Sequence, residues 1–322
     1  MPAPSSSLAT LRPDIAESFT EFDVEQNQRG YVWDQLMPVF DAASASGNFG
    51  RIPVEQLLQQ RDTKRAPGSG YARGKWTFTP ETFATVEHGA EEPVDDNEAK
   101  MYAEYFNAEV VSGIRARDAV ISNAERRVIA KLLSTSTFSN SSAGTAWTNA
   151  SGATPIANIE TALLAIYAAS GLWANTIAMS YLTFRLLRNC DEIIERIQSN
   201  GAGNITRATD ITVQQLAAVF DVEKIVVAGA SQNSATEGQT AAFSQLWDKT
   251  KVWVGVTADG MDFKKPCVGR TFHWSQDGSQ IAGTVESYRD EPVRADIIRV
   301  RHQVDEKILY PEAGYIVTGV QA

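Results

Sequence analysis

The side chains most able to do chemistry are few in this sequence and stand far apart. His88, His273 and His302 are its histidines, and their spacing is unlike that of metal ligands, so we expect ordinary surface or strand histidines. The segment 68–75, GSGYARGK, resembles a phosphate-binding loop. However, its glycines lack the required spacing and Trp76 replaces the magnesium-binding hydroxyl. It is better interpreted as a flexible hairpin tip.

The two cysteines are not spaced as a pair for zinc or redox chemistry. Cys190 is followed by Asp191 and Glu192, whose negative charges disfavour a thiolate, so we expect a packed helix cysteine and not a nucleophile. The sequence also lacks the Gly-x-Ser-x-Gly elbow of serine hydrolases. We predict a protein that is not an enzyme, with no catalytic residue, no metal and no cofactor.

Two adjoining segments carry opposite charge. Residues 61–75 are mostly basic among their charged positions, and residues 87–96 are acidic. One interpretation is two solvated surfaces. The other is that the basic loop of one subunit docks on the acidic region of its neighbour, where complementary charge fixes register and orientation. The candidate inter-subunit contact residues are Arg61, Lys64, Arg65, Arg73, Lys75, Glu87, Glu91 and Glu92.

The composition is that of an ordinary globular protein. Of its 322 residues, 43% are hydrophobic, which is enough for a substantial core divided over two or three lobes. The longest wholly apolar stretch, Ala162–Ala169, is far shorter than the roughly 18 residues of a membrane span, so no membrane partner is expected. A formal net charge of -10 opposes phosphate binding over the whole surface. Any contact with nucleic acid must therefore be local or weak.

The longest predicted element is a helix over Asp95–Ser134. This stretch has a single glycine, Gly113, and lacks proline. Asp95 and Glu98 form a capping-box pattern at its start, and apolar residues recur along it at helical spacing. A helix of about forty residues would extend roughly 60 Å, which is more than a compact enzyme core needs. We predict a strut that reaches towards neighbouring subunits.

Shorter elements surround this helix. Residues 1–45 read as an extended arm with a short helix, and Ile52–Val86 as a long two-stranded loop with a glycine-rich turn. From Ile156 to Ala230 helices and strands alternate, which predicts an α/β lobe with a central sheet. Strands near Lys251–Val256 and Gly269–Trp274 are expected to extend that sheet.

The C-terminal part is predicted to be a β-hairpin followed by one more strand. Apolar and polar residues alternate over Ile281–Tyr288 and Val293–Val304, and the alternation slips at Ile297 and Ile298, which indicates a bulge. A last strand, Tyr315–Val320, is expected to return to the central lobe.

Two segments resemble the major capsid proteins of tailed bacteriophages. One is Tyr71–Leu133, above all the run HGAEEPVDD that begins at His88 and leads into the helix. The other is the closing segment Leu309–Tyr315, LYPEAGY. The order of elements is similar to that family over essentially the whole chain. The resemblance implies an α+β protein with the Hong Kong 97-like capsid fold.

The resemblance also implies domain boundaries. These are an N-terminal arm at 1–49, an extended loop (β-hairpin) at 50–94, the spine helix and peripheral-domain loop at 95–155, an α/β axial domain at 156–280, a peripheral-domain β-hairpin at 281–309, and a return strand to the axial domain at 310–322. A capsid-like body that begins within about fifty residues of Met1 leaves little room for a built-in scaffold. A separate scaffolding protein is expected instead.

Members of this family self-assemble as pentamers and hexamers into icosahedral heads around double-stranded DNA. The resemblance therefore implies a structural protein of the virion, assembled in the host cytoplasm. Its partners would be itself, the scaffolding protein, a portal, candidate cement proteins, and packaged DNA that is contacted weakly. Two alternatives stay open at this point. One is the shell of an encapsulin-like nanocompartment, and the other is an α/β enzyme that uses the lobe 156–274.

Overall fold

The structure is a computed structural model that describes residues 10–11, 30–51, 53, 56, 58–60, 63–71, 73–74, 77, 79–102, 107–199, 211–236, 238–260 and 265–321. Its helices are α1 Trp33–Leu36, α2 Asp96–Tyr102, α3 Ala108–Leu132, α4 Pro155–Ser170, α5 Tyr181–Leu187, α6 Asp191–Ser199 and α7 Val213–Phe220. Its strands are β1 Thr10–Leu11, β2 Val39–Asp41, β3 Ser46–Arg51, β4 Thr79–Ala84, β5 Val86–Asp95, β6 Ser139–Ser142, β7 Thr176–Ser180, β8 Lys224–Ala228, β9 Ser231–Asn233, β10 Phe243–Gln245, β11 Lys251–Gly255, β12 Gly269–His273, β13 Thr284–Asp290, β14 Ala295–Ile308 and β15 Gly314–Thr318. Most of the predicted N-terminal arm lies outside the described residues.

The forty-residue helix predicted from the sequence is wrong, because the structure has two helices there, α2 and α3. Asn107 caps the second one: its Oδ1 accepts hydrogen bonds from the N–H groups of Glu109 at 3.0 Å and Val110 at 3.4 Å. The side chain of asparagine accepts hydrogen bonds from backbone N–H groups and therefore favours the capping position. The absence of proline and the single glycine in this stretch do not indicate that interruption. At 1.5 Å per residue, α3 extends about 38 Å instead of 60 Å. The predicted cap at Asp95 is confirmed, since its Oδ1 accepts from Asn97 N at 2.8 Å.

Helix α3 is buried against two different sheets. Near its middle, Ala116 and Val120 pack with residues of β13 and β14 in a small core. Further along, Ala124, Val128 and Leu132 belong to a larger core that includes strands of the central sheet. One helix therefore joins the two sheets of the subunit.

The central sheet has the strand order β6-β15-β11-β7-β8 and confirms the predicted lobe with a central sheet. Its faces are covered by different elements, as strand alternation requires. Ile177 and Met179 face the core formed with α4, α6 and α7. Ala178, Trp253 and Ile316 belong to the core that α3 and α1 share. The predicted return strand is confirmed as β15, which pairs antiparallel with β11 over all five residues.

The second sheet, here called the peripheral sheet, has the order β1-β13-β14-β12-β2, with β5 on the other edge of β14. The predicted hairpin is confirmed by the pairing of β13 with β14. The predicted bulge is wrong, because Ile297 and Ile298 lie opposite Tyr288 and Ser287 in unbroken register. Both isoleucines are buried, one on each face. The apolar pair therefore reflects a position where the strand has a buried side chain on each face.

Two further features of the peripheral sheet differ from the predictions. The strand predicted near Gly269–Trp274 forms, as β12, but it pairs with β14 and β2 and does not extend the central sheet. The strand β5 was not predicted, although it pairs with β14 along all 10 of its residues. Gly89 and Pro93 are unfavourable residues within a strand, so the sequence pattern does not indicate β5. An edge strand tolerates a proline because its outer N–H groups need no partner in the sheet.

The predicted two-stranded loop has an antiparallel root, in which β4 pairs with β3, but its first strand lies before the predicted start at Ile52, mostly in the stretch assigned to the N-terminal arm. Phenylalanines hold this root against the peripheral sheet. The ring of Phe83 stacks on that of Phe272 with centroids 4.6 Å apart, and Phe49 lies 5.4 Å from the same ring. Phe40 meets Phe272 edge-on at 5.7 Å. We call these four side chains the phenylalanine cluster.

Arg51, the last residue of β3, adds polar contacts at the same root. Its guanidinium donates to the carbonyl oxygen of Leu309 and lies over the ring of Tyr310, 5.0 Å from its centroid. It is also within 3.7 Å of a Glu81 carboxylate oxygen and 3.5 Å of one of Glu312. The hairpin is therefore attached to the C-terminal segment as well as to the sheet.

Glu125 is fully buried at the point where α3, α1 and the segment before β11 meet. One carboxylate oxygen accepts from the N–H groups of Val32 at 3.0 Å and Trp33 at 2.8 Å. The other accepts from the indole N–H of Trp247 at 2.5 Å. Burial raises the pKa of Glu125 to about 7, although these three donors lower it, and nearby Asp34 raises it further.

We expect Phe83→Ala to loosen the hairpin root. Removing a stacked ring that is partly buried should cost about 2 kcal/mol, less than for a fully buried phenylalanine. Hydrogen exchange of the β3 and β4 amides should become faster while α3 keeps its protection. Thr82→Ala is the matched control, since Thr82 is exposed on the same strand. Equal exchange in both variants would contradict a role for the phenylalanine cluster.

Glu125 should make stability depend on pH. Because its folded-state pKa of about 7 lies above its ordinary value of 4.5, the folded chain keeps a proton that the unfolded chain has released between these values. Its contribution is therefore fully present below about pH 4.5 and is lost as the pH rises through 7, by at most about 3 kcal/mol. Urea unfolding at pH 5 and pH 8 should show the native chain losing stability relative to Glu125→Gln. A difference that does not change with pH would refute this.

Candidate functional site

His273 takes part in an arrangement that resembles a catalytic triad. Its Nδ1 lies 2.9 Å from Asp41 Oδ1, and its Nε2 lies 3.3 Å from Ser279 Oγ. Ser279 and His273 are each only 3% exposed, and Ser279 Oγ also donates to the carbonyl oxygen of Trp274 at 3.2 Å. A serine so enclosed cannot reach a substrate. The arrangement instead ties β12 to β2 and to the turn before β13.

The other two histidines lie close together, which the sequence did not predict. His88 on β5 and His302 on β14 are directly opposite in the sheet, with ring centroids 6.1 Å apart. Burial lowers the pKa of His302 to about 4, and burial together with the charge of Arg127 lowers the pKa of His88. Both rings are therefore neutral near pH 7. The described residues contain no group of His, Cys, Asp and Glu suited to hold a metal ion.

Cys190 is completely buried between α5 and α6. Burial raises the pKa of its thiol to about 11, and Glu192 and Asp191 raise it further, as expected from the sequence. Its Sγ lies 3.7 Å from the carbonyl oxygen of Trp147. It is packed, as predicted, although it lies between two helices and not within one, and it is not a poised nucleophile.

Of the predicted basic contact residues, Arg61 and Lys75 lie outside the described residues. Lys64, Arg65 and Arg73 are exposed in the segment between β3 and β4. The structure thus places these three cations beyond the hairpin root.

A turn orders the tip of this loop. The Arg65 Nε–H donates to the carbonyl oxygen of Ser69 at 2.7 Å, and its guanidinium lies over the ring of Tyr71, 4.7 Å from the centroid. Ser69 also donates through its backbone N–H and its hydroxyl to the carbonyl oxygen of Ala66. The tip keeps its shape through its own contacts, and all of residues 63–71 are exposed.

The predicted acidic contact residues lie on β5, but not on one face. Glu87 and Glu91 alternate along the outer face of the peripheral sheet, the face turned away from α3. Glu91 lies 3.9 Å from Arg299, and Glu87 lies 3.8 Å from Arg301. Glu92 points to the other face, where it lies 3.6 Å from Arg115 of α3. Each acid already has a cationic neighbour in its own chain.

Two further acids join the outer face. Glu286 on β13 accepts from Arg299 and from Arg301, in the latter case at 3.0 and 2.9 Å, and Asp277 accepts from Arg301 at 2.7 Å. Burial raises the pKa of Glu286, but the two guanidiniums outweigh burial and hold it below its ordinary value. We call this group the outer-face cluster: Asp277, Glu286, Glu87, Glu91, Arg299 and Arg301. Four carboxylates surround two guanidiniums, so the surface stays acidic. In the sequence, the feature that could have indicated this cluster is the spacing of Arg299 and Arg301, which places both side chains on one face of a strand.

None of the described helices combines the length and the apolar character needed to cross a membrane.

The comparisons with solved structures concern the whole chain. A phage-related protein from Bordetella bronchiseptica is 21% identical and superposes with a TM-score of 0.69, covering 97% of this chain and 98% of its own. The capsid of cyanophage P-SCSP1u is 10% identical with a TM-score of 0.54, covering 89% and 87%. An encapsulin complex from Synechococcus elongatus is 7% identical with a TM-score of 0.52, covering 89% and 86%.

The chain has the Hong Kong 97-like fold. This confirms the fold class that the sequence resemblance implied. The identities to these structures are low, so the likeness concerns architecture. No protein-family model and no curated protein sequence matches the chain.

We expect Glu286→Gln to destabilise the subunit by about 1–3 kcal/mol at pH 7, because it leaves two guanidiniums without their shared carboxylate. Since the pKa of Glu286 is held below 4.5 in the folded chain, the native advantage is present above pH 4.5 and is lost as the pH falls through the lower value. Chemical unfolding at pH 7 and pH 3 measures this. Glu87→Gln is the control and should change stability by less than about 0.5 kcal/mol, since that side chain is 58% exposed. Equal losses in both variants would contradict the assignment.

Proposed function

We propose that this chain is the major capsid protein of a tailed bacteriophage, a structural subunit that assembles as pentamers and hexamers into an icosahedral head around double-stranded DNA. The observation that carries the proposal is the whole-chain likeness to a phage-related protein at a TM-score of 0.69, together with the likeness to a phage capsid. These neighbours favour a structural role over an enzymatic one. The enclosed Ser279 and His273 agree with that role.

The charged surfaces support a specific contact between subunits. The exposed tip carries Lys64, Arg65 and Arg73 beyond a fixed root, and the outer-face cluster presents a surplus of carboxylates. We propose that the tip of one subunit docks on the outer face of its neighbour through Glu87 and Glu91. Each contact is weak because its charges are solvated, but closure of a shell makes the contacts multivalent.

The remaining parts of the proposal follow from a phage head. The protein would reside in the virion after assembly in the host cytoplasm, with itself as the main partner. A scaffolding protein, a portal and candidate cement proteins would be further partners. Packaged DNA would be contacted weakly, in keeping with the net charge of -10.

Electron microscopy of the purified chain, alone and after co-expression with a scaffolding protein from the same genome, tests this function. We expect closed icosahedral particles. A chain that stays monomeric under every assembly condition would refute the proposal. Shells that enclose protein cargo and no DNA in their native source would instead establish the encapsulin-like alternative, which the likeness to an encapsulin complex keeps in view.

Deleting residues 65–74 should leave a folded subunit but raise the concentration needed for shell assembly, because the described residues of this stretch are exposed and Arg65 contacts the tip itself. Circular dichroism checks the fold and light scattering follows assembly. A second variant, Arg65→Gln with Arg73→Gln, keeps the loop length and separates charge from reach. Normal assembly of the deletion variant would show that the tip is dispensable.

A further inference from the structure

A recess opens on the solvent side of α3, where the helix meets β5. It has a volume of about 400 Å³. Its polar lining comes from His88 on the strand and from Asn123, Arg126 and Arg127 on the helix. None of the contacts proposed above for assembly uses these side chains.

Arg127 is held in place at this recess. Its Nε–H donates to the carboxylate of Glu306 at 2.9 Å, and its Nη2 lies 3.4 Å from His302 Nε2. Glu306 is only 3% exposed and His302 is fully buried. The guanidinium is therefore oriented by buried partners before any ligand arrives, which reduces the entropy that binding would cost.

Arg126 is exposed at the rim of the recess. Its Nη2 donates to Gln232 Oε1 at 3.1 Å and its Nη1 to Asn123 Oδ1 at 3.5 Å. In the described part of the chain, the oxygens that Arg126 meets thus belong to neutral amides. Its charge is oriented, and no carboxylate among the described residues pairs with it.

The charges around the recess favour an anion. Arg126 and Arg127 line the recess with two positive charges, and the one negative charge of Glu306 beside Arg127 is shared with Lys131, which lies 3.8 Å from its carboxylate. His88 is neutral and can donate or accept. The C-terminal end of α3 opposes an anion, but that effect falls off within the last turn, and Arg127 lies five residues before Leu132. The recess is therefore locally positive on a chain of net charge -10.

From this geometry we infer that the recess between α3 and β5 binds a phosphate group, with Arg126 and Arg127 as its main donors. Paired guanidiniums suit a tetrahedral oxyanion because their N–H groups donate in a fixed fork. The phosphate group could come from free inorganic phosphate or from a nucleic acid backbone. The inference concerns the single subunit and does not depend on shell formation.

Histidine NMR signals of the unassembled subunit provide the test. The chain has three histidines: His88 lines the recess, His302 contacts Arg127, and His273, which does not line the recess and is bound to Asp41 on another strand, serves as an internal reference. Titration with inorganic phosphate at pH 7, against sodium chloride of equal ionic strength, should shift the His88 signal saturably and leave His273 unchanged. A His88 signal that responds equally to both salts would overturn the inference.

Two variants make the result specific. Arg126→Gln should weaken phosphate binding about tenfold or more, because it removes a charged donor without touching the buried Glu306. Arg196→Gln, an exposed arginine on α6, removes the same charge elsewhere and should bind like the native chain. Equal loss in both variants would show a general charge effect and would also overturn the site.

A second titration with a short DNA duplex identifies the source of the phosphate. If backbone phosphates enter the recess, the duplex should shift His88 at lower concentration than inorganic phosphate, and Arg126→Gln should reduce that shift. If inorganic phosphate alone shifts His88, the site takes a free oxyanion. If neither does, the inference is wrong.

Discussion

The structure depends on one helix that two sheets share. Helix α3 must cover the peripheral sheet with Ala116 and Val120 and the central sheet with Val128 and Leu132, so neither sheet can complete its core without it. Glu125 strengthens this constraint. It lies on the same helix and accepts hydrogen bonds from α1 and from the segment before β11. Since a buried carboxylate without its donors is costly, the position of these segments relative to α3 is closely fixed.

Elements with local signals could be predicted from the sequence. Helix α7 begins at Val213 because Thr212 caps it with a complete capping box, and it is one of the helices that alternate with strands in the predicted lobe. The wrong predictions have two causes: a capping residue that competes with the helix preference of its neighbours, and strand pairing between residues that lie far apart in the sequence. Asn107 interrupts the long helix by capping, against a pattern of otherwise good helix formers. The sheet to which β12 belongs is decided by its pairing with β14, more than thirty residues later, which local periodicity cannot report.

The candidate contact surface between subunits was predicted only in part, because strand pairing brings together residues that lie far apart in the sequence. The sequence shows a basic segment followed by an acidic one, and the structure keeps Lys64 and Arg65 exposed. It could not show that Glu87 and Glu91 share a face while Glu92 lies on the other, because β5 was not recognised as a strand. Nor could it show the arginines opposite them, which lie about 200 residues away in the chain.

The phenylalanine cluster has a consequence for how a reaching loop is used. A loop with a flexible base would sample many orientations, and a partner subunit would have to select one of them. Here Phe83 and Arg51 clamp the base of the hairpin to the sheet and to the C-terminal segment. The direction in which strands β3 and β4 leave the sheet is therefore a property of the isolated subunit. In the proposed shell, the angle between neighbouring subunits would therefore be set by each chain before assembly begins.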